Sequence, residues 1–376
     1  MLTKTKIYLS SPHMGGSEQK FVDEAFATNW IAPLGPNVDG FENDLKNYLG
    51  GDKCVAVLSS GTAAIHLGLQ LLDVSEGDEV LCQSFTFSAS ANPIIYQDAT
   101  PVFIDSELDT WNMSPELLEI AIKDRIEKYK KPKAIIAVHL YGMPYKANEI
   151  NAIAKKYDIP VVEDSAEALG SKYFNRECGS LSDIGILSFN GNKIITTSGG
   201  GALIVGTKEL KDKAVFLSTQ ARDNAPHYEH SSIGFNYRMS NVLAGIGRGQ
   251  MEVIDDRVEA RRKNFEFYKK HLSQFNEITF LEEPKNFFSN RWITCIETES
   301  FELREKLRLE LLKDDIESRP LWKPMHMQPI FKNYLHFTNG TSERLFDKGL
   351  CLPSGSNLSQ DDLQRILNII INTLKL

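Results

Sequence analysis

Between about residues 50 and 210, short apolar runs alternate with helix-like segments, and this alternation constrains the fold more than any other feature of the chain. Several of the runs are rich in Val and Ile and apolar throughout, as expected for strands that are covered on both faces. The alternation predicts βα units around a mostly parallel sheet. The seven predicted strands are 54–58, 79–83, 101–104, 134–139, 159–163, 184–189 and 202–205.

The pattern changes after this region. Asn241 to about Phe275 predicts one long helix, broken or kinked at most once, and about 30 helical residues would span roughly 45 Å. A chain of 376 residues is also expected to form more than one domain. We therefore predict a large domain over residues 12–250 and a smaller C-terminal α/β domain over residues 251–376, which residues 1–11 could join.

Composition and cysteine spacing exclude several classes of protein. A net charge of −8 argues against a general nucleic-acid surface. No segment reaches membrane-spanning length, and the N-terminus lacks the apolar stretch of a signal peptide, so we expect a cytoplasmic protein without a membrane partner. No two cysteines form a CxxC pair, so we expect no bound metal. The five cysteines are Cys54, Cys82, Cys178, Cys295 and Cys351.

The segment 59–64, Ser-Ser-Gly-Thr-Ala-Ala, directly follows the first predicted strand and opens a helix. A helix N-terminus offers free backbone N–H groups and the positive end of the helix dipole, and small residues allow a phosphate to approach closely. The segment is therefore a candidate phosphate site. The alternative is an ordinary βα turn in which a serine or threonine caps the helix.

Asp164 lies where an apolar strand ends, which is where open α/β sheets place ligand-binding groups. A partly buried carboxylate at this position requires a cationic partner. The protonated nitrogen of a pyridine ring is one such partner. An arginine in a structural ion pair is the other.

Lys193 lies in a polar, glycine-bounded turn between two predicted strands, and no other charged residue occurs from Ile184 to Val205. A lysine held away from water loses its proton more easily and becomes a competent nucleophile towards an aldehyde. The alternative is a lysine that only packs its aliphatic stem.

Two further segments contribute candidate binding groups. The segment 234–241 offers Asn236, Arg238 and Asn241 just before the long helix, although Asn241 could serve only as the helix N-cap. Phe87 follows a strand and could either stack on a ring or join the core. A phosphate site, a carboxylate, an isolated lysine and a stacking aromatic are together the four contacts that pyridoxal phosphate (PLP) requires.

With these motifs the sequence resembles the DegT/DnrJ/EryC1/StrS family of PLP-dependent sugar aminotransferases over essentially the whole chain. Further matching segments are 33–36 (PLGP), 319–326 (RPLWKPMH) and 352–355 (LPSG). The resemblance implies the aspartate-aminotransferase-like fold (PLP fold type I), with active sites shared between the two subunits of a homodimer. Within the family, NGNKIITTSGGG and GFNYRMSN are similar to the 4-aminotransferases of bacillosamine biosynthesis, which serve bacterial protein glycosylation.

The resemblance also implies roles for individual residues. Lys193 matches the lysine that forms the Schiff base with PLP, and Asp164 matches the partner of the pyridine nitrogen. Asn236 matches a phosphate contact donated by the neighbouring subunit. The other implied cofactor contacts are Gly61, Thr62 and Ser188 at the phosphate, Phe87 on the ring face and Glu167 near the phenolic oxygen. The implied substrate contacts are Ile31, Pro33, Leu34, Arg238, Arg319, Trp322 and His326.

Glu167 departs from the family pattern, which often has His or Gln at this position. A carboxylate beside the phenolic oxygen of PLP would be repelled unless the two groups share a proton. The sequence therefore leaves the role of Glu167 open.

The resemblance predicts transamination of the C4 ketone of a UDP-linked 4-keto-6-deoxy sugar, UDP-2-acetamido-4-keto-2,4,6-trideoxyglucose, with L-glutamate as the amino donor. The alternatives are the same chemistry on a GDP- or dTDP-linked ketosugar and a non-catalytic binding or regulatory protein of the same fold. A family dehydratase would carry histidine instead of Lys193. An NAD-dependent enzyme would need a GxGxxG segment after a strand, and the sequence has none.

Overall fold

The computed structural model describes residues 5–375, so residues 1–4 and 376, which belong to the predicted domain ranges, lie outside the described residues. In chain order the strands are β1 (Cys54–Leu58), β2 (Glu79–Gln83), β3 (Thr100–Ile104), β4 (Ala134–Val138), β5 (Val161–Asp164), β6 (Lys172–Tyr173), β7 (Arg176–Glu177), β8 (Ile184–Ser188), β9 (Gly201–Val205), β10 (Ile278–Phe280), β11 (Phe287–Phe288), β12 (Thr294–Thr298), β13 (Arg319–Pro320), β14 (His336–Phe337) and β15 (Gly349–Leu352). The α-helices are α1 (Glu18–Ala27), α2 (Pro36–Tyr48), α3 (Gly61–Leu71), α4 (Ser88–Tyr96), α5 (Pro115–Lys128), α6 (Ala147–Tyr157), α7 (Lys208–Ser218), α8 (Asn241–Met251), α9 (Ile254–Leu272), α10 (Phe301–Lys313), α11 (Thr341–Lys348) and α12 (Gln360–Leu374).

The largest sheet has eight strands in the order β1-β9-β8-β5-β4-β2-β3-β14. Neighbouring strands are parallel except that β9 runs antiparallel to both β1 and β8. All seven predicted strands are present and the predicted α/β class is confirmed. The sheet has one strand more than predicted, because the two-residue β14 from the C-terminal part pairs with the edge strand β3.

Helices cover both faces of this sheet, which explains why several of its strands, such as β1, β4 and β9, are apolar throughout. On one face α3 and α4 pack over a core that includes Ile65, Ile136 and Leu203. On the other face α5 and α6 pack over a core that includes Ile122 and Ala137. Three N-cap side chains accept a hydrogen bond from the first turn of their helix: Ser60, Ser114 and Thr207.

The C-terminal part forms a second, antiparallel sheet in the order β10-β12-β15-β13, which packs against α9, α10 and α12. A small third sheet, β11-β6-β7, joins residues of the two parts of the chain. The predicted long helix is present as α8 and α9, interrupted once at residues 252–253. The predicted division at residue 250 stays a prediction, since β14 and β11 contribute to sheets of the first part.

Across residues 5–375, none of the helices is both long enough and apolar enough to cross a lipid bilayer.

Candidate active site

A cavity of about 490 Å³ lies at the carboxyl edge of the large sheet. Its floor is built where β4, β5 and β8 end and where α3 and α4 begin, the edge at which α/β sheets bind ligands. Residues from the C-terminal part and from the N-terminal segment close its other side. The cavity is lined by two predicted substrate contacts, Arg319 and Trp322, and by seven predicted cofactor contacts: Gly61, Thr62, Phe87, Asp164, Glu167, Ser188 and Lys193.

The first turn of α3 forms a cradle for an anion. The side chain of Ser60 accepts a hydrogen bond from the amide of Ala63 at 3.0 Å, which leaves the amides of Gly61 and Thr62 without a partner inside the helix. A Cβ atom on Gly61 would lie 3.0 Å from the Cβ of Ser188 and would fill the cradle. The free amides, the Ser188 hydroxyl and the helix dipole together fit a phosphate group.

Asp164 lies at the end of β5 with only 4% of its surface exposed. Its Oδ2 accepts a hydrogen bond from the Ser90 hydroxyl at 2.6 Å, and its Oδ1 accepts one from the amide of Ala166 at 3.1 Å. Within residues 5–375, no lysine or arginine forms an ion pair with this carboxylate. A buried carboxylate that lacks a cationic partner is costly, so Asp164 fits the protonated pyridine nitrogen of PLP.

Lys193 enters the cavity from the turn between β8 and β9. Its Nζ donates to Oε1 of Glu167 at 3.3 Å and lies 4.2 Å from the centre of the Trp292 ring. The other oxygen of Glu167 accepts a hydrogen bond from the amide of Tyr141 at 2.7 Å. Burial raises the pKa of Glu167 to about 7, although the nearby Lys193 amine opposes the increase. Glu167 can therefore hold a proton beside the lysine near neutral pH.

The outer wall of the cavity is aromatic. Phe87 is 57% exposed, which favours the predicted stacking role over a place in the core. Its ring centre lies 5.4 Å from that of Trp322, which in turn lies 5.1 Å from that of Tyr141. The Trp322 amide donates to the Tyr141 hydroxyl at 2.8 Å, so the three rings are held as one wall.

Two of the predicted substrate contacts, Arg238 and His326, lie outside the lining of this cavity and have polar partners elsewhere. The guanidinium of Arg238 pairs with Glu42 at 2.6 Å and donates to the carbonyl of Val57 at 2.9 Å. The ring of His326 is buried, with Nδ1 2.6 Å from the Ser84 hydroxyl. In both cases polar atoms of the side chain already have partners in the same chain, and neither residue lines the cavity; their predicted substrate roles stay predictions.

The predicted contacts Ile31, Pro33 and Leu34, and the predicted cross-subunit contact Asn236, are exposed and lie outside the cavity of their own chain. Ser240, and not Asn241, caps α8. The side chain of Asn241 instead accepts from the amide of Asn37 at 2.9 Å and donates to the carbonyl of Trp30 at 3.1 Å, which fixes the 30–37 loop. The roles of Ile31, Pro33, Leu34 and Asn236 stay predictions.

The lining residues that sequence reasoning missed include Ser90, Trp292 and Glu317. Ser90 is a hydrogen-bond partner of Asp164, and Trp292 contacts Lys193. Glu317 accepts from the guanidinium of Arg319 at 2.6 Å at the mouth of the cavity. The only local signal for Glu317 is its position two residues before Arg319, where β13 begins. No residue near Trp292 in the sequence indicates that it contacts Lys193.

Outside the cavity lining, the side chains of His139, Glu163 and Cys178 form a cluster of potential metal ligands, with their ligand atoms within 4.8 Å of one another. Two of these groups already accept hydrogen bonds from backbone amides. Nδ1 of His139 accepts from the amide of Tyr145 at 3.0 Å, and Glu163 accepts from the amide of Gly179 at 2.5 Å. His139 then donates from Nε2 to Glu163 at 2.8 Å. The cluster is a hydrogen-bond network that fixes the end of β5, next to Asp164.

Known proteins resemble this chain over nearly its whole length. The sequence model of the DegT/DnrJ/EryC1/StrS aminotransferase family matches residues 12–371. EpsN of Bacillus subtilis (strain 168), provisionally named a pyridoxal phosphate-dependent aminotransferase, is 50% identical over 371 residues, 98% of this chain and 95% of EpsN. The GDP-perosamine synthase of Escherichia coli O157:H7 is 37% identical over 354 residues, 94% of each chain. A solved DegT DnrJ EryC1 StrS aminotransferase from Brucella abortus is 30% identical, with a TM-score of 0.89 over 95% of each chain.

Proposed function

Because this chain belongs to the DegT/DnrJ/EryC1/StrS aminotransferase family and uses PLP as its cofactor, we propose that it transfers the amino group of L-glutamate to the C4 ketone of a UDP-linked 4-keto-6-deoxy sugar. The acceptor that we propose is UDP-2-acetamido-4-keto-2,4,6-trideoxyglucose. The observation that carries the proposal is that Lys193, Asp164 and the first turn of α3 line one cavity of about 490 Å³.

When bound, PLP supplies an aldehyde that takes up the amino group and a ring that delocalises the electrons of the reacting carbon. Asp164 holds a proton at the pyridine nitrogen, because its buried carboxylate has only hydroxyl and amide partners from its own chain. The amides of Gly61 and Thr62 bind the phosphate. Lys193 moves a proton at the amino-bearing carbon, and Glu167, 3.3 Å from its Nζ, accepts a hydrogen bond from that amine.

The proposed assembly is a homodimer in which the partner donates a phosphate contact to each site. The exposure of Asn236 supports this arrangement, since its side chain does not reach the cavity of its own chain. Exposed apolar residues nearby, Ile233 at 89% and Leu34 at 55%, also support a covered surface here. The L-glutamate donor and the cytoplasmic location rest on the family resemblance and the sequence alone.

A GDP-linked ketosugar is the second candidate acceptor, because a GDP-perosamine synthase is 37% identical to this chain. We would compare kcat/KM for UDP-, GDP- and dTDP-linked 4-ketosugars with L-glutamate as donor, since that ratio measures specificity. A value at least about tenfold higher for the UDP-linked sugar is the expected outcome. A higher value for a GDP- or dTDP-linked sugar would replace the proposed acceptor.

The proposed role of Lys193 is tested with Lys193→Ala, compared with Lys263→Ala, which removes an exposed lysine paired with Glu259. Lys193→Ala should lose the absorption band of covalently bound PLP and should lose turnover, whereas Lys263→Ala should keep both. Turnover at the wild-type rate in Lys193→Ala would show that the catalytic amine lies elsewhere. Wild-type protein that binds no PLP would support the non-catalytic alternative.

A further inference from the structure

Trp292 contacts the catalytic lysine and the residue before it. The ring centre of Trp292 lies 4.2 Å from Nζ of Lys193. Its indole Nε1 donates a hydrogen bond to the backbone carbonyl of Asn192 at 2.7 Å. The side chain is 1% exposed, so both contacts are shielded from water. A tryptophan that only fills the core would not hold the peptide unit that carries the reactive amine.

Trp292 is itself held by two polar groups. Its amide donates to Oδ1 of Asn290 at 2.8 Å, and its carbonyl accepts a hydrogen bond from the buried guanidinium of Arg261. Burial lowers the pKa of Arg261 to about 9, so this group keeps its positive charge at neutral pH. Arg261 also donates to the Ser10 hydroxyl at 3.0 Å, and Ser10 donates to the same Asn192 carbonyl at 2.7 Å. The turn that carries Lys193 is therefore held at the carbonyl of Asn192, which accepts hydrogen bonds from Trp292 and from Ser10.

Only one of the two contacts depends on the charge of the amine. The indole face attracts the amine while it is charged, an effect of about two- to thirtyfold in an equilibrium constant. The hydrogen bond from Nε1 to Asn192 does not depend on that charge and is worth about fivefold. Glu167 also contacts the amine, at 3.3 Å from Nζ, so the amine touches both a carboxyl group and a ring.

We propose that Trp292 is a positioning residue of the aminotransferase site, which holds the turn and the amine of Lys193 where the cofactor aldehyde must meet them. The indole N–H fixes the backbone before the lysine, and the indole face fixes the amine whenever it is released. Because Lys193 is the residue that carries PLP in the proposed function, this role of Trp292 rests on that proposal.

The test compares Trp292→Phe, Trp292→Leu and Lys193→Ala with wild type. Trp111→Phe is the matched control, since Trp111 is a buried indole that does not line the cavity. Cofactor-free protein is mixed with PLP, and the rate of covalent attachment is followed by absorbance. Thermal unfolding of each variant and kcat and KM for L-glutamate are measured in parallel.

Trp292→Phe keeps an aromatic face and loses the N–H, so attachment should slow by about fivefold. Trp292→Leu loses the N–H and the ring that packs against the amine, so it should slow attachment at least as much as Trp292→Phe does, by about fivefold or more, with a larger fall in kcat than rise in KM. Trp111→Phe should behave as wild type. Wild-type attachment rates in both Trp292 variants, or losses that match the fraction of unfolded protein, would overturn the positioning role. Attachment in Lys193→Ala equal to that of wild type would instead overturn the proposed function.

Discussion

Replacing Glu167 by Gln should change how the stability of the cofactor-free protein depends on pH. Burial raises the pKa of Glu167 from its ordinary value of 4.5 to about 7 in the folded state. Between these values the folded protein binds more protons than the unfolded chain, so the free energy of unfolding falls as the pH rises. The difference of about 2.5 pH units corresponds to about 3 kcal/mol. Glutamine cannot ionise, so Glu167→Gln removes this loss.

The assay is denaturant unfolding of the cofactor-free protein from pH 4 to pH 9. Relative to wild type, Glu167→Gln should gain up to about 3 kcal/mol between pH 4.5 and 7, and the difference should stay constant above pH 7. A general loss of stability from the substitution, such as a weaker hydrogen bond from the Lys193 amine, lowers the curve of the variant at every pH and does not alter this slope. Glu266→Gln, at an exposed position, is the control. Parallel curves for wild type and Glu167→Gln would refute the reasoning.

Two further predictions concern packing around the cavity. A Cβ on Gly201 would lie 2.4 Å from the amide nitrogen of Gly61, so Gly201→Ala should displace the start of α3. The free energy of unfolding should fall by about 1–3 kcal/mol, and PLP binding should weaken by about tenfold in an absorbance titration. The control is Gly206→Ala, whose Cβ would meet nothing within 4 Å and which should bind PLP as wild type does. His326→Ala should lower the free energy of unfolding by about 1–3 kcal/mol, because Ser84 loses a buried partner. An increased KM for the sugar with unchanged stability would instead restore the predicted substrate contact of His326.

The core of the site could be predicted because its residues follow strand ends. Asp164 ends β5 and Ser188 ends β8, and these strands pair in parallel. Parallel strands bring their carboxyl ends to one edge, so local pattern and fold class together place these side chains near one another. Lys193 stood out because its neighbours carry no charge. The sequence-based roles of these residues stay predictions, but their presence in one cavity is observed.

Other parts of the molecule have no local signal. Strand β14 has two residues, too few for a periodic pattern, and its pairing with β3 depends on the whole fold. Trp292 meets Lys193 across about 100 positions of the sequence. His326 lies within the segment 319–326 that matches the family, which is why the resemblance predicts it as a substrate contact. The sequence does not indicate that its ring contacts Ser84 and Glu343.

The β14 pairing has a consequence for how small molecules reach the cavity. The amide of Phe103 donates to the carbonyl of Leu335 at 2.9 Å, and the amide of Asp105 donates to that of Phe337 at 3.0 Å. Swinging the C-terminal part away from the large sheet would break these bonds. Movement of the exposed side chains at the mouth, such as Phe87 and Arg319, breaks neither of these backbone bonds. Such side chains reorient within nanoseconds, whereas hinged domain movements take microseconds to milliseconds.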